Sequence, residues 1–138
     1  MTNQELIIEA KKAREFAYAP YSHFKVGAAL IGKSGKLYHG CNVENSSFSP
    51  TNCAERTAFF KAVSEGELEF TKIAIVGGLE GTDADDMCAP CGVCRQVMSE
   101  FCDADEFKII LADGKDKWVE LRLKEMFPYD FGPKNVLK

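Results

Sequence analysis

The sequence predicts a layered α/β domain in which helices cover a sheet opened by a β-hairpin. Three observations support this. Helical and strand-like segments alternate along the chain, no repeat or long linker interrupts them, and the run Ile73-Ala74-Ile75-Val76 is too continuously apolar for a strand with one wet face.

Thr2 and Glu5 have the spacing of a capping box, and Leu6, Ala10, Ala13 and Ala17 fall on roughly one face, so a first helix is expected over residues 3–18. Pro20 ends it. Residues 25–31 read as a strand in which Gly27 marks either a bulge or a close backbone approach. The stretch 33–36, where Gly35 can take positive φ, turns the chain into a second strand over 37–43. Residues 44–52 are polar and form a loop, either facing a substrate or simply solvated. Ala54, Ala58 and Ala62 recur at four-residue spacing, which places a closely packed helix over 53–63. A buried strand follows at 72–76, and then Gly77, Gly78 and Gly81 with Asp83, Asp85 and Asp86 read as a flexible acidic loop. Pro90 sets up a third helix over 91–101. Residues 108–112 form another apolar strand, Asp113-Gly114 a turn, 117–121 a further strand, and 121–127 a short helix before Pro128.

The 138 residues suffice for one hydrophobic core and are too few for two, so residues 1–138 are expected to form a single domain. A hydrophobic content of 46% excludes a disordered, charge-dominated chain. Lys and Arg total 17 against 21 Asp and Glu, and the net charge of -4 offers no general attraction to nucleic acid or to a membrane surface. Glu5, Glu9, Lys11, Lys12 and Arg14 interrupt the N-terminal stretch, which therefore does not read as a signal peptide or a membrane span. A cytoplasmic location is expected. In reducing surroundings, six cysteines in so short a chain point to metal binding or catalysis rather than to disulfides.

The densest chemistry lies in CAER at 53–56 and PCGVCRQ at 90–96. Cys91 and Cys94, three apart in the first turn of a helix, share a face where exposed N–H groups favour thiolates. Pro90 can preorganise that helix start, and Gly92 can let the backbone approach a metal shell. Cys53 can supply a third thiolate from the other helix. Three thiolates leave one position of a tetrahedral zinc ion for water, whereas calcium and magnesium prefer oxygen and an iron-sulfur cluster usually takes a fourth cysteine. Cys88 keeps two other readings open. It could close a four-cysteine structural site in a noncatalytic zinc-binding interaction protein, or it could form a redox CxxC with Cys91.

These two motifs, together with FKVGAAL at 24–30 and NVEN at 42–45, resemble the zinc-dependent cytidine deaminase family, specifically its small free-nucleoside enzymes. The resemblance covers nearly the whole chain. It implies a three-layer α/β/α fold with a mixed five-stranded sheet, and hydrolytic deamination of cytidine and deoxycytidine to uridine and deoxyuridine with release of ammonia. It assigns one Zn2+ per chain to Cys53, Cys91 and Cys94, leaving Cys88 spare. Glu55 would take a proton from the water that attacks C4 of cytosine and return protons to N3 and the departing amine. Such a role demands that Glu55 sit in the first turn of its helix.

Arg56, in preference to Arg95, would donate to a thiolate and draw electron density from the metal. Phe24 would pack against the pyrimidine, Asn42 and Glu44 would hydrogen-bond the ribose, and backbone at Ala54 and Cys91 would contact the base. Taken without the resemblance, Phe24 reads as core, and Asn42 and Glu44 as a strand end and solvated turn. Glu44 would disfavour a 5'-phosphate in its pocket. Phe131 matches a C-terminal Phe that enters a neighbouring active site in homotetrameric members, although FPYDF departs from the usual apolar-Pro-Gly-Ala-Phe ending. The alternative places Phe131 in packing within its own chain. His23 and His39 read as noncatalytic, and Cys41 and Cys102 as small core or interface residues.

Overall fold

The computed structural model describes residues 1–137. Its elements run α1 (Asn3–Arg14), β1 (Phe24–Gly32), β2 (Leu37–Cys41), α2 (Ala54–Ser64), β3 (Phe70–Leu79), α3 (Gly92–Phe101), β4 (Lys108–Ala112), β5 (Trp118–Arg122), α4 (Leu123–Met126) and α5 (Pro133–Val136). The strands form one five-stranded sheet in the order β2-β1-β3-β4-β5. β3 and β4 are parallel and every other neighbouring pair is antiparallel, so the sheet is mixed as expected. A parallel pair needs a crossover, and the segment containing α3 supplies it.

The three central strands have two dry faces, and their side chains divide by the period of two. Ala28 and Leu30 of β1, Ile73 and Ile75 of β3, and Ile109 and Leu111 of β4 join Ala58, Phe59 and Ala62 of α2 and Met98 of α3. Their sequence neighbours Ala29, Ala74, Val76, Ile110 and Ala112 pack instead with Leu6, Ile7 and Ala10 of α1. Helices therefore cover both faces, which gives the three layers. The covered faces are tight. At Gly27 an added Cβ would lie 2.0 Å from the Ala10 carbonyl oxygen, and at Gly40 it would lie 2.3 Å from the Ala54 carbonyl oxygen. Gly27 is thus a close approach and not a bulge; the register shift in β1 falls at Ile31/Gly32.

The expected boundaries shift where the chain builds its loops. The capping box of Thr2 and Glu5 forms, but α1 stops at Arg14 instead of residue 18. Residues 16 and 17 tighten into i→i−3 bonds, after which Tyr18 N–H donates to the Asn42 carbonyl and Glu44 N–H to the Tyr18 carbonyl. The strand expected to reach residue 43 stops at Cys41, because Val43 pairs with Tyr18 and with Asn52. Gly77 and Gly78, expected in a loop, belong to β3, which runs on to pair Leu79 with Phe24. Leu121 and Arg122 extend β5, so the helix expected from 121 begins at Leu123.

Candidate active site

Two helix N-termini carry the chemistry. Cys53 is the N-cap of α2 and Cys91 the N-cap of α3, both in extended backbone, and neither side chain caps its own helix. This leaves both thiols free to point at something else. The two helices bring together Cys53, Cys91 and Cys94, whose sulfurs all lie within 4.8 Å of one another. Sγ of Cys53 is 3.8 Å from that of Cys91, which is 3.5 Å from that of Cys94. Zinc–sulfur bonds of about 2.3 Å in a tetrahedron place neighbouring sulfurs about 3.8 Å apart, so the donors suit a zinc ion in both type and spacing. Three thiols this close cannot all ionise without a cation among them.

The surrounding charges already bias the cluster. The Cys53 thiol is pushed down to about 5, first by the Cys94 thiol hydrogen-bonded to it and then by Arg56. Cys94 is shifted upward because it retains the shared proton. Arg56 Nη2 donates to Cys53 Sγ at 3.2 Å, and its Nε is buried without a partner. Arg95 is employed elsewhere, donating to the carbonyls of Pro90 and Met126. Pro90 precedes the N-cap, and the helix expected from residue 91 begins at Gly92. An added Cβ at Gly92 would meet open space, so packing within the chain does not require glycine there.

Glu55 lies in the first turn of α2, where its expected role needs it, and is only 4% exposed. Burial pushes its carboxyl up to about 7, and the neighbouring Cys53 thiolate adds to the rise. Ala54 is fully buried at the helix start. Cys88 stays outside the group of three thiols: its sulfur packs at Gly77, where an added Cβ would lie 2.7 Å from it. Burial pushes the Cys88 thiol up to about 11, the direction opposite to that of a ready fourth ligand. The closed four-cysteine site is therefore not what the chain builds.

Asn42 and Glu44 stand beyond β2 with much of their hydrogen-bonding capacity already used. Asn42 Oδ1 accepts from Val26 N–H at 2.8 Å and its Nδ2 donates to the Phe24 carbonyl at 2.8 Å. Glu44 Oε1 accepts from the N–H groups of Tyr21 and Ser22, and Oε2 from the Ser22 hydroxyl. These bonds, led by the Ser22 hydroxyl, hold the Glu44 carboxyl below its ordinary range. Phe24 opens β1 with 39% of its surface exposed, which is available area for a flat ligand and not the core position that composition alone suggests. A cleft of about 400 Å3 beside Glu44 is lined by Tyr21, Ser22, Asn45, Phe48 and Thr51. Phe131 is 61% exposed, and its carbonyl accepts from Gln96 of α3. Sequence reasoning passed over Ser22; the available signal was a serine two residues before Phe24, the spacing at which a hydroxyl bonds local backbone.

A sheet covered on both faces, with cysteines converging from two helix starts beside a buried glutamate, defines a metal-hydrolase type of site. Residues 1–110 match the cytidine and deoxycytidylate deaminase zinc-binding region, and the chain belongs to that family. It is 48% identical over 136 residues to the cytidine deaminase of Sporosarcina psychrophila, covering 99% of this chain and 96% of the relative. The cytidine deaminase of Halalkalibacterium halodurans is also 48% identical, over 131 residues and 95% of each chain. Among solved structures, cytidine deaminase from Burkholderia pseudomallei superposes with a TM-score of 0.85 at 46% identity, over 95% of this chain and 100% of that one.

Proposed function

We propose that this chain is a zinc-dependent cytidine deaminase that converts free cytidine and deoxycytidine to uridine and deoxyuridine with release of ammonia. The observation that carries the reading is the buried Glu55 carboxylate placed two residues from Cys53 within a three-thiol cluster. Cys53, Cys91 and Cys94 hold one zinc ion per chain. When bound, the ion supplies Lewis-acid activation of water near neutral pH. Glu55 takes the proton from the attacking water and delivers protons to N3 and the departing amine at C4. Its burial excludes competing solvent from that exchange. Arg56 offsets the negative charge of the thiolates.

Phe24 offers its exposed ring to the pyrimidine, and the base-edge contacts fall to backbone at Ala54 and Cys91, the starts of α2 and α3. Asn42 retains one N–H donor and Glu44 one acceptor position, a pair that complements a ribose hydroxyl. The described residues lining the cleft beside Glu44 include that carboxylate and no cation, which favours a nucleoside over a 5'-phosphate. Phe131 completes the site of a neighbouring subunit in a homotetramer; its exposed ring and those of Phe16, Phe48 and Tyr129 supply apolar surface for such an assembly. Six cysteines in a short chain, three of them gathered as metal donors, fit a reducing, cytoplasmic setting for this single-domain chain; among the described residues no helix is long and apolar enough to cross a membrane.

The test combines metal content with turnover of cytidine, deoxycytidine and dCMP on the same samples. Glu55→Gln is expected to keep near-stoichiometric zinc and to lose roughly 10²–10⁴-fold in cytidine turnover, read by ammonia release. Near-normal turnover in the zinc-loaded variant would remove Glu55 from the mechanism. Equal catalytic efficiency on dCMP would overturn the nucleoside preference, and zinc without any deamination would overturn the enzyme itself.

A further inference from the structure

We propose that Ser22 is a positioning residue that aims the Glu44 carboxylate at one ribose hydroxyl and couples that aim to the start of β1 at Phe24. The proposal rests on the ribose-binding reading of Glu44. Its starting point is the number of acceptor positions. A carboxylate offers about four lone-pair sites, and this one has three engaged: Oε1 by Tyr21 N–H at 3.0 Å and Ser22 N–H at 3.1 Å, and Oε2 by the Ser22 hydroxyl at 2.5 Å. One position remains, on Oε2. The Ser22 hydroxyl therefore decides which way the remaining lone pair faces.

The same hydroxyl accepts from Phe24 N–H at 3.0 Å. Its single proton goes to Glu44 and one of its lone pairs to the backbone of the residue offered to the base, so the two ends of a nucleoside site share one hydrogen-bonded chain. The loop that carries Ser22 is itself fixed. His23 N–H donates to the Ala19 carbonyl at 3.0 Å, the His23 carbonyl accepts from Glu80 N–H at 2.7 Å, and His23 takes φ 58° in the left-handed region. Ser22 is exposed, yet its position follows from this loop and not from solvent. The depressed carboxyl of Glu44, whose leading cause is the Ser22 hydroxyl, agrees with an acceptor kept ionised for a ligand.

A serine that only stapled the loop would affect every substrate alike. One that aims Glu44 affects only substrates that offer it a hydroxyl. The experiment measures kcat and KM for cytidine and for 2',3'-dideoxycytidine with zinc-loaded wild type, Ser22→Ala, Ser22→Thr and Glu44→Gln. Ser22→Ala is expected to lower kcat/KM for cytidine on the order of tenfold, mainly through KM, and that for dideoxycytidine by less than about twofold. Ser22→Thr, which keeps the hydroxyl, restores most of the cytidine value. Equal losses on both substrates, or no loss on either, would overturn the positioning role. Glu44→Gln separates the two levels. If it too leaves the cytidine-to-dideoxycytidine ratio unchanged, the ribose reading falls and takes this proposal with it; if it collapses the ratio while Ser22→Ala does not, the Ser22 proposal falls alone.

Discussion

Arg56 directs Nη2 to the Cys53 sulfur while its Nε is buried without a partner. Holding a guanidinium in so incompletely satisfied a place is unfavourable unless the thiolates beside it repay the desolvation through charge. Arg56→Ala is therefore expected to weaken zinc retention by about 10–100-fold, measured by competition with a chromogenic chelator. Unchanged retention together with an unchanged pH–rate profile would defeat that role. At this scale the sequence was informative about residue types and less so about their partners. CAER and PCGVCRQ pointed to the three thiols, Glu55 and Arg56 through the family resemblance, while spacing alone paired only Cys91 with Cys94 on one helix face. The engagement of Asn42 and Glu44 depends on residues 16 to 23 positions away, and no local pattern encodes that.

The start of α2 depends on a glycine in the neighbouring strand. An added Cβ at Gly40 would meet two backbone atoms, Ala54 O at 2.3 Å and Ala58 N at 2.6 Å, so α2 would have to move. Its N-cap is Cys53 and its first turn carries Glu55. Gly40→Ala is thus expected to destabilise the fold by about 1–3 kcal/mol. It should also lower zinc occupancy, which an equivalent loss of stability elsewhere in the core would not do. Thermal unfolding and metal content measured on the same preparation distinguish the two. Elements with strong periodicity or capping were readable in the sequence, as α1 began at its capping box and β4 spans the five residues expected. The ends that moved include those where backbone at Tyr18, Val43, Leu79 and Arg122 found partners in distant segments, which override local propensity.

For the whole molecule, the mixed sheet and its two covered faces agree with the expected three layers, and the assembly around them is the larger proposal. Phe131→Ala is expected to raise KM for cytidine several-fold, on the order of the 0.5–1.5 kcal/mol of one aromatic contact. Mixing it with an inactive Glu55→Gln protein tests whether the ring acts across subunits. Unless subunits exchange complementary halves, activity stays additive. Native mass measurement of an active monomer would reject the shared site outright.

The thiols also stand on opposite sides of β3 in chain order, Cys53 before it and Cys91 and Cys94 after it. β3 is the strand that joins β1 to β4, so the chain passes through the middle of the sheet between the first donor and the other two. A nascent chain that has emerged only to residue 88 holds one of the three donors. Under the proposed zinc reading, an incomplete chain offers the ion one thiol where the folded protein offers three, so metal capture would follow the emergence of α3.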